Sequence, residues 1–221
     1  MDINVKLCRL ANIDYVIVDV PDYILAELHA QTDTIQQDWT KNTPLNQHLP
    51  GHINHEYAME PNNPNLDKFI LQVAYKYNEQ YNLLSSNKIF SHGVDAMVGP
   101  AWINFQTATE YNPPHNHSGL ISWTVWLKIP YLRAQEQEIF PNRADCLNGA
   151  FQFLYTDATG NIATETIFLD PSYEGKLVMF PSTFMHTVYP FYTSPDYKIS
   201  ISGNIYLDTE KLGGGSILLG R

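Results

Sequence analysis

The fold is decided by the stretch Gly175-Lys-Leu-Val-Met-Phe-Pro181-Ser-Thr-Phe-Met-His186. An apolar run typical of a β-strand ends at a turn that contains Pro181, and His186 follows five residues later. In a sandwich or jelly roll, such a turn returns the chain so that the late histidine faces residues of an earlier strand. Taken alone, His186 is also compatible with a buried core histidine that is only hydrogen-bonded.

The chain around this stretch, from about residue 98 onward, alternates short β-branched and aromatic runs with turn residues. These runs predict seven strands: Ala101–Thr107, Leu120–Ile129, Ala150–Thr156, Ala163–Leu169, Lys176–Phe180, His186–Tyr189 and Tyr197–Tyr206. Seven short strands within about a hundred residues indicate a sandwich or jelly roll.

The first hundred residues are different, because they carry helical patterns. The apolar run 15–20 predicts a strand, and Pro21-Asp22 opens a first helix. Asn65 is predicted to cap a second helix, and the Asn- and Pro-rich segment 40–64 predicts a loop. Helices ahead of a β region are expected to support one outer sheet.

We therefore expect a mainly β fold with N-terminal helices (α+β) in a single domain. Its expected parts are a helical support region at residues 1–97, a β core at 98–206 and a C-terminal tail at 207–221.

Composition excludes several classes of protein. The 221 residues carry a formal net charge of −10, which disfavours broad binding to nucleic acid or anionic lipid. The two cysteines, Cys8 and Cys146, form no CxxC pair, so neither a disulfide framework nor a structural zinc site is expected. No segment approaches 18 continuous apolar residues and no signal peptide is visible. We expect a cytoplasmic protein (in the host cytoplasm if it is viral) without a membrane span.

The most informative chemical motif is Tyr111-Asn-Pro-Pro-His115-Asn-His117. Residues two apart on an extended strand point to the same face, so His115 and His117 are able to converge on one metal ion. An isolated HxH motif is equally compatible with two surface histidines in a polar loop.

Strict alternation marks the run Tyr197-Lys-Ile-Ser-Ile-Ser-Gly-Asn-Ile-Tyr206. Polar residues at 198, 200, 202 and 204 share one face, and isoleucines occupy the other. Such a strand usually turns its polar face to solvent, but the inside of a barrel can also be polar where it holds a small ligand. Lys198 and Ser200 would then bind a carboxylate through charge and a hydroxyl hydrogen bond.

In this order of motifs the chain resembles the 2-oxoglutarate- and Fe(II)-dependent oxygenase superfamily, and within it the prolyl-hydroxylase-like oxygenases of bacteria and their phages. The residues that carry the resemblance are Trp102-Ile-Asn104, His115-Asn-His117, Ser122-Trp-Thr-Val-Trp126, Gly175-Lys-Leu-Val-Met-Phe-Pro-Ser182, His186 and Lys198-Ile-Ser200-Ile-Ser-Gly-Asn204. The resemblance covers about residues 98 to 206 and implies a double-stranded β-helix (jelly roll) supported by helices.

The resemblance also implies a metal centre and a reaction. Fe(II) would be bound by His115, His117 and His186, and 2-oxoglutarate would reach Lys198 and Ser200, with Tyr111 and Asn104 lining its pocket. The implied enzyme is a dioxygenase that acts as a hydroxylase. It would use O2 and convert 2-oxoglutarate to succinate and CO2. Its primary substrate would be a peptide, such as one with a prolyl residue, or a metabolite.

The chain departs from the superfamily at two positions. His117 stands where most members have a carboxylate ligand, which leaves the iron site one negative charge short. Lys198 stands where an arginine is usual, so the planar fork of a guanidinium is replaced by a point charge.

Three other interpretations compete with the oxygenase. A cupin-type metal-binding protein shares HxH, but its usual glutamate four residues later is Ile121 here. A non-catalytic jelly-roll module would bind neither iron nor 2-oxoglutarate. A zinc hydrolase is suggested by His52-Ile-Asn-His55-Glu56, but the order differs from HExxH and the neighbouring Pro50 and Gly51 disfavour a helix.

Overall fold

The computed structural model describes residues 14–59, 61–81, 95–143 and 146–208. Cys8 and the expected tail from residue 209 onward lie outside the described residues. The described chain holds three α-helices: α1 (Asp22–Gln37), α2 (Pro64–Tyr81) and α3 (Arg133–Glu138). It holds eleven strands: β1 (Val16–Asp19), β2 (His55–Ala58), β3 (Ala96–Val98), β4 (Trp102–Gln106), β5 (Asn112–His115), β6 (Ile121–Lys128), β7 (Phe151–Thr156), β8 (Ile162–Ile167), β9 (Lys176–Pro181), β10 (Met185–Val188) and β11 (Lys198–Leu207).

The strands form two antiparallel sheets. The large sheet has seven strands in the order β1-β9-β6-β11-β4-β2, with β3 paired to β11 beside this path. The small sheet has four strands in the order β5-β10-β7-β8. This mainly β architecture, with helices at the N-terminal side, confirms the predicted fold class.

Helices α1 and α2 cover the outer face of the large sheet. Their apolar stripes, which include Ile24, Leu28 and Ile70, are fully buried in one core cluster with Ile103 and Ile201 of the sheet. Helical spacing of three and four residues places these side chains on one face, and their burial stabilises the helices against the sheet. None of the described helices is both long enough and apolar enough to cross a lipid bilayer.

The second helix begins two residues earlier than its predicted cap implied. Helix α2 starts at Pro64, and the Asn63 side-chain oxygen accepts hydrogen bonds from the backbone N–H groups of Asn65 and Leu66 at 2.9 and 3.0 Å. Asn63 is therefore the capping residue, not Asn65. Proline suits the first helical position because its missing N–H would have no helical partner there.

The strand pattern of β11 separates the two sides of the large sheet. Its isoleucines at 199, 201 and 205 face the helices and join their core. Gly203 lies opposite Trp123 of β6, where a Cβ atom would come within 2.5 Å of the indole ring. A residue without a side chain is therefore needed where the Trp123 indole packs against β11.

All seven strands predicted for residues 101 to 206 are present, with bounds that differ by one or two residues. Three strands were not predicted: β2, β3 and β5. The segment 40–64 is thus not wholly a loop, since β2 adds to the large sheet beside β4, with Glu56 opposite Asn104.

Candidate metal centre and adjoining cavity

The turn after β9 and the pairing of β10 bring His186 directly opposite His115. These two residues are partners in the ladder between β10 and β5, and their ring centroids lie 4.3 Å apart. His117 follows the end of β5, and its backbone N–H donates to the Ser182 carbonyl oxygen at 2.9 Å. The late histidine therefore meets the early pair at one end of the small sheet.

Among the described residues, the three imidazoles are the only group of three or more His, Cys, Asp or Glu side chains close enough to bind one metal ion. One ligand atom from each of His115, His117 and His186 lies within 4.8 Å of the other two. Three nitrogen donors that converge in this way are able to bind a divalent transition metal. Imidazole ligands suit iron, zinc, copper and nickel alike, so the geometry by itself does not select the metal.

Backbone carbonyl groups orient two of the rings. Nδ1 of His115 lies 2.7 Å from the Pro113 carbonyl oxygen, and Nδ1 of His186 lies 3.0 Å from that of Phe184. Because a carbonyl oxygen only accepts, each Nδ1 carries the proton and donates it. Nε2 of both rings is left with its lone pair free to bind a metal.

Burial keeps the three rings neutral. It lowers the pKa of His115, and, together with repulsion from neighbouring histidines, it lowers the pKa of His117 to about 4 and that of His186 to about 3. A metal ligand must be unprotonated. At neutral pH the site therefore does not have to lose a proton before it binds an ion.

A cavity between the two sheets adjoins the histidines, and the polar face of β11 forms part of its wall. Lys198, Ser200 and Ser202 line this cavity together with His115, His117 and His186. The alternation of β11 thus directs its polar side chains into the sandwich and not to solvent. Lys198 is only 3% exposed.

Lys198 is an unpaired cation inside this cavity. Among the described residues, no hydrogen bond or ion pair reaches its ammonium group. Burial lowers the pKa of Lys198 to about 7. A buried ammonium without a partner is costly, and an incoming carboxylate would satisfy it.

Asn104 lines the same cavity from β4, and its amide nitrogen donates to the Ser200 hydroxyl at 3.4 Å. The predicted pocket residue Tyr111 does not line it. The Tyr111 side chain is 38% exposed and stacks on His52, with ring centroids 4.8 Å apart. The pairing of β5 with β10 is irregular between Asn112 and His115, so Asn112 turns inward and its neighbour Tyr111 turns outward.

Glu56 is a cavity residue that the sequence analysis did not identify. It is 2% exposed, lines the cavity from β2, and its Oε1 has no hydrogen-bond partner among the described residues. Burial and the nearby charge of Glu110 raise the pKa of Glu56 to about 7. His55 faces the other way and stacks on Trp39, with centroids 4.6 Å apart. A period of two along β2 separates Glu56 from its neighbour His55.

A loop closes one side of the cavity. Leu49, Pro50 and Ile53 contribute to the lining, and the His52 N–H donates to the Tyr111 carbonyl oxygen at 2.9 Å. Gly51 has a φ of 142°, and a Cβ atom there would overlap the side-chain amide of Asn112. This loop is therefore attached to the strand that carries His115.

Comparison with known proteins places these features in a wider group. The family model described as "Putative 2OG-Fe(II) oxygenase" matches residues 100–210. No curated protein sequence matches the chain.

Solved structures share the fold at low sequence identity. A prolyl-4-hydroxylase of Pseudomonas putida matches with a TM-score of 0.52 and 13% identity, over 87% of this chain and 91% of that protein. A prolyl hydroxylase of Trichoplax adhaerens, in complex with a hypoxia inducible factor peptide fragment, matches with a TM-score of 0.51 and 12% identity, over 91% and 87%. A viral collagen prolyl hydroxylase of Paramecium bursaria Chlorella virus-1, in complex with 2-oxoglutarate, matches with a TM-score of 0.50 and 12% identity, over 86% and 94%.

Proposed function

Because this chain belongs to the 2OG-Fe(II) oxygenase family, we propose that His115, His117 and His186 bind Fe(II), and that Lys198 and Ser200 bind 2-oxoglutarate. The observation that carries the proposal is the convergence of three neutral imidazoles beside a cavity that contains an unpaired buried lysine. When bound, Fe(II), 2-oxoglutarate and O2 supply an oxidative decarboxylation to succinate and CO2, coupled to hydroxylation of a second substrate.

The donor set fits Fe(II). Imidazole nitrogens suit iron, and the three histidines would hold Fe(II) beside the cavity that the co-substrate would enter. The carbonyl oxygens of Pro113 and Phe184 hold two of the rings with Nε2 free. These outer hydrogen bonds fix ring orientation before a metal arrives.

The polar wall of the cavity fits a dicarboxylate. The Lys198 ammonium provides the positive charge for the carboxylate far from the metal, and the Ser200 hydroxyl lies two residues along the same strand face. Asn104 holds Ser200 through its amide nitrogen. Lysine binds as a point charge, so Ser200 and Asn104 contribute the direction that an arginine fork would otherwise give.

The family membership decides between the competing interpretations. A cupin and a non-catalytic jelly roll share the sheet architecture, but neither requires a buried cation in the cavity beside the histidines. The zinc-hydrolase interpretation is not supported, because His52 stacks on Tyr111 and His55 stacks on Trp39 outside the described metal cluster.

The test is anaerobic titration of the metal-free protein with Fe(II) in the presence of 2-oxoglutarate. Chelation of iron by a 2-oxo acid produces a weak visible charge-transfer band, and we expect this band to saturate at one iron per chain. Omission of 2-oxoglutarate should leave the visible region blank. If iron binds but no band develops on addition of 2-oxoglutarate, the co-substrate assignment is wrong.

For the primary substrate we propose a prolyl residue in a peptide. The support is the fold shared with three prolyl hydroxylases, one of which is in complex with a peptide fragment. The experiment is incubation with Fe(II), 2-oxoglutarate and proline-containing peptides, with mass spectrometry of the peptide and measurement of succinate. A gain of one oxygen on proline is expected, and succinate without peptide oxidation would count against this substrate class.

We also propose that the protein acts in the cytoplasm. The described free cysteine, Cys146, is buried and unpaired as a disulfide, which is compatible with a reducing compartment. Fractionation of the source cells with an antibody against the protein would test this location.

A further inference from the structure

Glu56 is the only acidic side chain among the described residues that line the cavity. It lies opposite Asn104 of β4, which in turn lies opposite Ser200 of β11. The three side chains therefore form one polar row across the large sheet, on the face that adjoins the histidines.

Two hydrogen-bond acceptors of this row lack a partner in the protein alone. Glu56 Oε1 and Asn104 Oδ1 are both buried and have no donor among the described residues. None of the ion pairs among the described residues includes Glu56. An unpaired buried acceptor destabilises the fold, and a charged one does so more strongly. The ligand-free fold thus gains nothing visible from an acid at position 56.

The net charge of the occupied cavity explains why an acid at position 56 would be useful. Three neutral imidazoles leave a bound Fe(II) with both of its positive charges, and the ammonium of Lys198 adds a third. The dianion of 2-oxoglutarate cancels two of these charges. One positive charge would remain inside a cavity lined by buried side chains, where an unbalanced charge is costly.

We propose, on the premise of the proposed function, that Glu56 supplies the negative charge that the three-histidine ligand set lacks. In a site with two histidines and one carboxylate, this charge lies on the ligand itself. In this protein the negative charge would lie on β2, a strand of the cavity wall. Glu56 is not one of the described residues whose ligand atoms converge, so it acts as a positioning residue through its charge and not as a ligand.

The raised pKa of Glu56 is consistent with this role. In the ligand-free cavity burial favours the neutral acid, and the pKa is about 7. A cation bound nearby favours the carboxylate form. The group is therefore able to change its charge to match the occupancy of the cavity.

The test uses Glu56→Gln, which keeps the shape of the side chain and removes its charge. Cobalt(II) serves as a redox-inert probe of metal affinity, measured at pH 8 by competition with a chromophoric chelator. We expect an affinity about tenfold lower than in the unaltered protein, the lower end of the usual effect of residues around a metal site. The thermal midpoint of the metal-free variant should be unchanged or higher, because the unpaired buried acid is gone.

A second readout is the Fe(III)/Fe(II) midpoint potential. Loss of a nearby negative charge favours the lower oxidation state, so Glu56→Gln should raise this potential. Glu56→Asp, which retains the charge, should keep the cobalt affinity closer to that of the unaltered protein. Glu79→Gln is the matched control, because it removes the same charge from an exposed position on α2.

Three results would overturn the inference. These are an unchanged cobalt affinity in Glu56→Gln, an equal loss in Glu79→Gln, and a Glu56→Gln protein that does not fold, since the last would assign the acid to the fold itself. If the unaltered protein binds no divalent metal, the proposed function fails instead, so the two failures are distinguishable.

Discussion

His115 and His186 lie 71 positions apart in the chain and face each other as direct partners across two paired strands. Their ring centroids are 4.3 Å apart, and each Nδ1 donates to a backbone carbonyl two residues before it in its own strand or turn. The ladder between β5 and β10 therefore sets both the distance between the rings and the direction of their free nitrogens.

Removal of the late histidine should abolish the metal site without unfolding the protein. For His186→Ala we expect Fe(II) affinity to fall by more than about a hundredfold, since even outer partners of metal ligands contribute about 10–100-fold. Anaerobic iron titration measures the effect, and circular dichroism checks the fold. His29→Ala, an exposed histidine of α1, is the control and should bind iron normally. Full iron binding by His186→Ala would contradict the site.

Loss of the cavity lysine should separate co-substrate binding from metal binding. In Lys198→Ala the affinity for 2-oxoglutarate should fall by about 10–100-fold, the value of one hydrogen bond to a charged group. Metal affinity should change little, because Lys198 is not among the ligands. Isothermal titration with 2-oxoglutarate on the cobalt-loaded protein measures the first quantity. Lys128→Ala, at a half-exposed lysine of β6, is the control. Equal losses of both ligands in Lys198→Ala would refute this role.

The same lysine should make the stability of the ligand-free protein depend on pH. Its pKa is lowered from 10.5 to about 7 in the folded state, so between these values the unfolded chain binds more protons than the folded one. The free energy of unfolding should therefore rise with pH from about 7 to 10.5, by up to about 5 kcal/mol in total.

Urea denaturation at pH values from 7 to 9.5, before tyrosines ionise, measures this slope. Lys198→Met removes the titrating group and should be more stable than the unaltered protein at pH 7, with the difference shrinking as the pH rises. Parallel curves for the two proteins would show that the lysine keeps an ordinary pKa.

Gly51 should be needed for the loop that covers the cavity. Gly51→Ala places a side chain at a φ of 142° and against the Asn112 amide, so it combines backbone strain with an overlap. We expect a loss of about 1–3 kcal/mol in stability and faster proteolysis of residues 45–53. Gly160→Ala is the matched control, because its φ is 86° but no atom lies within 4 Å of the added Cβ. Weaker metal binding in the first variant alone would show that the loop supports β5.

The fold could be predicted from sequence wherever strands followed a regular pattern. The strands predicted from the alternation of β11 and from the apolar run of β9 are both present, with nearly the predicted bounds. β5 was missed because it contains Pro113 and Pro114, which are tolerated there because β5 is an edge strand of the small sheet. Edge position is a tertiary property that the local sequence does not show.

The three histidines of the candidate site could be predicted from their spacing in the sequence. Residues whose position depends on strand pairing could not. HxH and the histidine after Pro181 gave three side chains that the structure brings together. Glu56 was missed because β2 is only four residues long and lies in a segment with the composition of a loop. Tyr111 was misplaced as a pocket residue because the irregular pairing of β5 reverses the expected alternation at Asn112.

The two ends of the cavity belong to different sheets. The histidines come from the small sheet and the turn that follows β5, whereas Lys198 and Ser200 come from the large one. The distance between these two groups therefore sets the ligand length that would reach both. The proposed roles therefore predict that a diacid one carbon shorter than 2-oxoglutarate binds more weakly, because it would not reach the histidine-bound metal and Lys198 together.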